Sequence, residues 1–274
     1  MGARLTLATF NLHAGMDGYG RRYDVVGACS ALEADVLVLE EVFSPAEGAG
    51  QAAEVATALG YRAAELRLAP ALRLRQALPV PPGAGWEPAR PYPRVHRALR
   101  VGARPDGPRG RAEAYEPGWW GLAVLTREPA ASVSEIDLGR LRRDVTRRGA
   151  LVVELPGGLR VIATHMAHST HGSPLQFRRL RTLLPDREVP AVLAGDMNFW
   201  GPPIELALPG WRRAAKGKTW PAWRPRHQLD HIFVTPALER LGGGAVRAGN
   251  SDHLPIRASL ALARLTSDPS SRRE

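Results

Sequence analysis

Cysteine is almost absent. Cys29 stands alone in 274 residues, which excludes an intramolecular disulfide or a thiolate metal cage, and with them bridge-stapled secreted folds and structural zinc modules. A lone thiol fits a reducing compartment. Long apolar runs are missing too: no window reaches the roughly 18 residues of a membrane-spanning helix. The amino terminus, Met1-Gly2-Ala3-Arg4, leads straight into a strand-like segment without the apolar core and cleavage site of a signal peptide. These absences predict a cytoplasmic protein with no transmembrane segment and at most peripheral membrane contact; a monomer is expected. Lysine is nearly absent as well. Lys216 and Lys218 are the only two, so the formal charge of +10 is carried by arginine, in a composition that GC-rich coding also favours.

What is present is a chain with 44% hydrophobic residues, enough for a large core. Its positive charge points to an anionic partner such as nucleic acid, a phosphorylated substrate or a membrane surface. Strand-like runs lie at Arg4 to Asn11, Val36 to Leu39, Gly121 to Leu125, Ala150 to Leu155, Arg160 to Thr164, Ala191 to Ala194, Leu229 to Val234 and Ile256 to Leu262. Helical spacing is found at Tyr23 to Leu32, Gln51 to Leu59 and Leu175 to Leu184. Strands outnumber helices and connections vary in length, which predicts an α+β sandwich over a regular βα alternation. Between Pro70 and Pro117 ten prolines predict mostly loop, and ten arginines from Arg67 to Arg111 face only Glu87 and Asp106. Residues 266–274 read as a frayed tail.

Polar residues stand where apolar runs stop: Asn11 after Leu5 to Phe10, Glu41 after Val36 to Leu39, and Asp196 and Asn198 after Ala191 to Gly195. Such positions form pocket rims. Oxygen-rich sites of this kind suit a hard cation, Mg²⁺ or Mn²⁺, bound through a few carboxylates and substrate phosphate oxygens. His165 follows another strand, and Asp252-His253 follows a turn at Asn250-Ser251.

The ordered set TFN (Thr9 to Asn11), LEEV (Leu39 to Val42), TH (Thr164-His165), GDMN (Gly195 to Asn198), LDHIFV (Leu229 to Val234) and SDH (Ser251 to His253) resembles the endonuclease/exonuclease/phosphatase family. That superfamily includes deoxyribonuclease I, exonuclease III, neutral sphingomyelinases and inositol-polyphosphate phosphatases. The resemblance implies a four-layer α/β/β/α sandwich of two packed mixed β-sheets flanked by helices, as a single domain over residues 1–265 with an insertion at about 70–117. It also implies a Mg²⁺-dependent hydrolase of phosphoesters. Residue by residue, it implies Asn11 and Glu41 at the metal with Asp252 beside them, Asp196 readying the attacking water, and Asn198 binding phosphoryl oxygens. Asp230 would hold His253 cationic, and His165 would donate to the phosphate. Glu40 is the rival carboxylate. Strand alternation places Glu40 and Glu41 on opposite faces, so that one alone can line the site, and the motif favours Glu41.

Weaker candidates surround this set. His13 lies two residues past Asn11. His168 and His171 follow His165 at zinc-like spacing, but without a helix or a fourth ligand. Arg148, in an R-G-A segment, is a candidate phosphate clamp. Trp200, directly after the GDMN motif, is the aromatic expected to touch substrate, whereas Trp119 and Trp120 read as packing. The segment Thr219 to Leu229 carries Pro221 and Pro225, and Leu122 stands where many members have Asn. Both depart from the repair-nuclease pattern. They favour a phosphodiesterase or phosphatase acting on a small or lipid-linked substrate. A nuclease supported by the arginine segment is the alternative, and a non-catalytic binding module is a minor third reading.

Overall fold

The computed structural model describes residues 4–78, 98–103, 114–142, 144, 146–168, 172–200 and 203–262. Two mixed β-sheets pack face to face. The first orders its strands β12 (Leu238–Ala245), β13 (Ile256–Leu262), β1 (Arg4–Asn11), β2 (Val36–Pro45), β5 (Tyr115–Thr126), β3 (Arg62–Leu74) and β4 (Leu99–Val101). The second runs β10 (Arg212–Arg213), β11 (Asp230–Val234), β9 (Ala191–Asp196), β8 (Arg160–Thr164), β7 (Arg148–Glu154) and β6 (Ser132–Gly139). Each sheet holds a parallel pair, β1 with β2 and β8 with β9, among antiparallel neighbours.

Alternation along the strands builds three apolar layers. Leu7, Val36, Val38, Leu122 and Val124 meet Leu151, Val161, Ala163, Val192, Ala194 and Ile232 between the sheets. The opposite-parity residues Ala8, Phe10, Leu37 and Leu39 face α1 (Val25–Ser30) and α2 (Gln51–Leu59). On the far side Ile162, Leu193 and Phe233 pack with Phe177 of α3 (Gly172–Arg181) and Ile204 of α4 (Pro203–Ala207). The result is the expected helix-sheet-sheet-helix sandwich of the deoxyribonuclease I type.

Several elements extend past or escape the sequence expectation. Strand β2 runs on to Pro45, and α1 is shorter than the apolar spacing of Tyr23 to Leu32 suggests. The proline-rich segment is not all loop: Pro70 sits in β3 and Pro117 in β5, and β4 lies between them. Both prolines stand where a missing N–H is tolerated. The Pro70 carbonyl accepts from Gly102 just past the β4 pairing, and that of Pro117 accepts from Ala46 where β2 ends. The remainder of the segment, 79–97 and 104–113, lies outside the described residues, as does the tail from 263 onward.

Candidate active site

Following the inward-facing column of each strand shows how the site is made. In β1 the column reads Leu7, Thr9, Asn11; in β2 Val36, Val38, Glu40; through β8 Val161, Ala163, His165; in β9 Val192, Ala194, Asp196; and in β11, backwards, Val234, Ile232, Asp230. Every column is apolar in the sandwich and turns polar at the same end. The same alternation that fills the core therefore delivers the polar side chains to one place.

Glu41 enters by a different device. The pairing of β2 with β5 slips between Glu40 and Val42, and Glu41 takes a left-handed backbone with φ of 52°. This bulge turns back to the pocket a side chain that regular alternation would send to the helix layer. Both glutamates thus point inward, contrary to regular alternation, yet Glu41 alone of the two lines the cavity, as expected. Glu41 lines the pocket, while Glu40 is fully buried beneath it with Thr9 Oγ1 donating to its Oε1 at 2.5 Å. Burial, then the neighbouring Asp230 carboxylate, push the Glu40 carboxyl well above its usual range.

Asp196 is the hub. Asn11 Nδ2 donates to its Oδ2 at 3.1 Å and to Glu41 Oε1 at 3.2 Å. His165 Nε2 lies 3.4 Å and His253 Nε2 3.7 Å from the same Oδ2. Asp230 Oδ2 stands 2.8 Å from His253 Nδ1. Backbone ties hold these ends together. Ser251 Oγ donates to the Asn11 carbonyl at 2.7 Å, Met166 N to the Asp196 carbonyl at 3.0 Å, and Asn198 Nδ2 to the Met166 carbonyl at 3.0 Å. Gly195 is required here. A Cβ on it would sit 1.8 Å from the Thr164 carbonyl oxygen, so only glycine lets β9 close on β8 and bring Asp196 to His165.

The charges divide unequally. Burial pushes the Asp196 carboxyl up to about 7 against the pull of His253. For His253 burial works downward, but Asp230 and Asp196 outweigh it and hold the imidazole well above its usual value. His165 lacks a carboxylate on its Nδ1, and its Nε2 lies 3.4 Å from Asp196. Burial, then the Arg148 charge, hold it well below its usual value, so it is a neutral ring. Burial would raise Asp252 too, yet His13, His253 and the Trp220 indole keep it low. Among the described residues, Asp196, Asp230 and His253 bring potential metal-ligand atoms within 4.8 Å of one another. Two of the three, Asp230 and His253, spend atoms on each other.

These residues sit at or below the floor of a cavity of about 830 Å³. Its lining includes Glu41, Arg148, His165, Asp196, Asn198, Trp200, Asp252 and His253, whereas Asn11 and Asp230 are buried behind it. Trp200 is 55% exposed and sits at the mouth. Arg148 lines the wall, but its guanidinium is held by Asp144 at 2.9 Å and lies over Trp120, whose ring is 5.2 Å from that of His165. Trp120 is buried in packing with Phe43 and Ala71, as expected, and its indole also buttresses His165, a role its inward parity with Leu122 allows. Asp144 and Thr146 escaped the sequence reading. His13 and His168 also line the cavity, while His171 lies outside the described residues. Of the arginine segment, Arg100 reaches the lining beside Leu99 and Val101. Arg73 is instead committed to Glu116 at 2.9 Å and to the Ala14 carbonyl.

With this geometry in place, the family model described as Endonuclease/Exonuclease/phosphatase family matches residues 8–253. The chain belongs to this family. Members are phosphoester hydrolases, and phosphoester hydrolysis is the activity the membership supports. An endonuclease/exonuclease/phosphatase structure from Beutenbergia cavernae is 23% identical, with 95% of this chain and 72% of that chain covered and a TM-score of 0.62. A mannosyl-6-phosphatase of Bacteroides thetaiotaomicron is 13% identical over 94% of this chain and 100% of that one, with a TM-score of 0.59. D. rerio TDP2 in complex with a single-strand DNA product is 15% identical over 94% and 99%, with a TM-score of 0.57. At these identities the likeness speaks for the fold. No curated protein matches the sequence.

Proposed function

We propose that this member of the family is a divalent-metal-dependent phosphodiesterase or phosphatase acting on a small or lipid-linked phosphoester. The observation that carries the reading is the convergence on Asp196 Oδ2 of Asn11, His165 and His253 within 3.1 to 3.7 Å at the base of an open cavity. The carboxylates fit Mg²⁺ or Mn²⁺: Glu41 and Asp252 offer oxygens at the cavity wall, and Asn11, whose Nδ2 donates to Glu41 and Asp196 while its Oδ1 accepts from His13 N, would hold those carboxylates in place for the ion. When bound, the ion would supply Lewis-acid polarisation of a phosphoryl oxygen.

The chain's own residues do the rest. Asp196, its affinity for a proton raised by burial, orients a water molecule and accepts its proton at Oδ2. His253, kept cationic by Asp230, offers Nε2–H to a phosphoryl oxygen as charge builds there. His165, held neutral by burial and the Arg148 charge, acts as an N–H donor, which leaves His253 as the cationic ring of the pair. Asn198, held by Met166, adds an amide at the wall, and Arg148, braced by Asp144, fixes Trp120 against His165 in place of clamping phosphate directly. A degraded binding module would lack part of this set, and none of it is lacking.

A nuclease is the second reading, favoured by Arg100 in the cavity wall and by Arg224 and Arg226, exposed on the loop beside the lining residues Trp220 and His227. The test is a metal-dependent activity panel covering plasmid and single-stranded DNA, abasic duplex, RNA, an aryl phosphodiester, sphingomyelin and phosphoinositides. Turnover of a small or lipid phosphoester is expected. Robust DNA cleavage with none of the others would replace the first reading by the second.

A further inference from the structure

Exposed apolar side chains are not spread evenly over this surface. Of seven large ones exposed among the described residues, Leu175, Leu183, Trp200 and Leu206 fall between α3 and α4. On α3 the inward face is Gln176, Phe177 and Leu180, which leaves Leu175, Arg178 and Arg179 together on the outer face at helical spacing. Arg181 follows on the last turn and Leu183 just beyond it, 51% exposed. Beside this helix the loop after β6 adds the exposed Arg140 and Arg142, and Arg179 reaches back over Gly139. Among the described residues Arg140, Arg142, Arg178, Arg179 and Arg181 make no ion pair. Leu206, 79% exposed, projects from α4, which packs against α3.

We propose that the outer face of α3 and α4, with the arginines of the β6 loop, docks on an anionic lipid bilayer and brings the cavity mouth to the headgroups. Charge complementarity selects an anionic partner, since none of these arginines forms an ion pair among the described residues and only Arg179 acts on a carboxylate nearby, that of Asp137. The leucines select which one. A phosphate backbone gains nothing from Leu175, Leu183 or Leu206, whereas the headgroup–acyl boundary buries them, as it does for basic helices with protruding apolar side chains. The face is coupled to the site by short links. Gln176 Oε1 of α3 accepts from Ala167 N at 2.8 Å, two residues past His165, and Phe177 lies 5.8 Å from Phe199 beside Trp200. This inference rests on the hydrolase reading and names the surface on which a lipid-linked substrate is met.

The test is sedimentation of the full chain with vesicles of phosphatidylcholine mixed with phosphatidylglycerol, against phosphatidylcholine alone. Binding to the mixed vesicles only, weakened by salt, is expected. Arg178→Gln with Arg179→Gln should weaken it about 25-fold, roughly fivefold for each basic side chain near a charged bilayer. Leu175→Ser with Leu206→Ser should weaken it about tenfold or more. Both double variants should keep the circular dichroism and the turnover of a soluble aryl phosphodiester, because none of the four residues lines the cavity. No preference for anionic vesicles would overturn the proposal. So would single-stranded DNA binding that the arginine pair abolishes while the leucine pair changes neither ligand. A chain that binds vesicles yet hydrolyses nothing would sink the hydrolase reading alone.

Discussion

Asp230 Oδ2 sits 2.8 Å from Nδ1 of His253, and this contact fixes both the orientation and the charge of the imidazole. With Nδ1 taken, Nε2 is the nitrogen that faces Asp196 and the cavity. Burial alone would strip the ring of its proton, and Asp230 first, then Asp196, reverse that. A raised histidine pKa keeps the cation present through neutral pH and loses it on the alkaline side. Asp230→Asn should therefore move the alkaline limb of the kcat/KM profile to lower pH, as well as lowering its plateau. An alkaline limb that stays in place in this variant would mean that Asp230 does not set the charge of His253.

Removing the hub should be more severe. Asp196→Ala takes away the proton acceptor and His253→Ala the cationic donor, and loss of one such group typically costs about 10²–10³ in rate. Each variant should retain its circular dichroism while metal-dependent phosphoester hydrolysis falls by at least that factor. Unchanged turnover in either would remove the mechanism.

The two adjacent glutamates should separate cleanly. Glu41 is delivered to the cavity wall by the bulge, whereas Glu40 is sealed under it with a carboxyl raised by burial. For an acid whose folded pKa exceeds its unfolded one, stability is lost as pH rises above the unfolded value of 4.5. Glu40→Gln removes that cost, so its melting temperature at pH 8 should equal or exceed that of the parent, with the advantage shrinking toward pH 4. Glu41→Gln should melt like the parent but lose metal-dependent activity. Calorimetry and a Mg²⁺ titration of turnover distinguish the two, and an inactive but fully stable Glu40→Gln beside an active Glu41→Gln would reverse their roles.

That pair also marks the limit of what the residues disclosed in one dimension. The polar ends of the columns were legible because alternation and strand ends are local signals, and Asn11, His165, Asp196 and Asp230 all obey them. The bulge at Glu41 was not, since a left-handed residue inside a strand depends on how β5 pairs alongside. Strands β3, RAAELRLAPALRL, and β12, LERLGGGA, were missed for a related reason. Their alanine, arginine and glycine content carries little strand preference, and they are held by pairing with β5 and β13. Trp120 has the inward parity of Leu122, but its contact with His165, like that of Asp144 with Arg148, is tertiary and no spacing rule encodes it.

His231 provides the acid-side prediction. It is fully buried on β11, its Nε2 lies 2.9 Å from the Phe199 carbonyl, and burial followed by the Arg213 charge lowers its pKa to about 4. The ring is therefore neutral in the folded chain and donates from Nε2, fixing the segment that carries Asn198 and Trp200. Unfolding releases a histidine of ordinary pKa, 6.5, so between pH 6.5 and about 4 the unfolded chain binds the extra proton and stability falls as pH falls. The full shift corresponds to roughly 3 kcal/mol at about 1.4 kcal/mol per pKa unit. His165, lowered in the same direction, adds to the slope. Urea unfolding from pH 7 to pH 4.5 should thus give a declining stability for the parent and a shallower decline for His231→Gln, whose amide can still donate to Phe199 but cannot take up a proton. Parallel declines in the two proteins would show that His231 is not the group responsible.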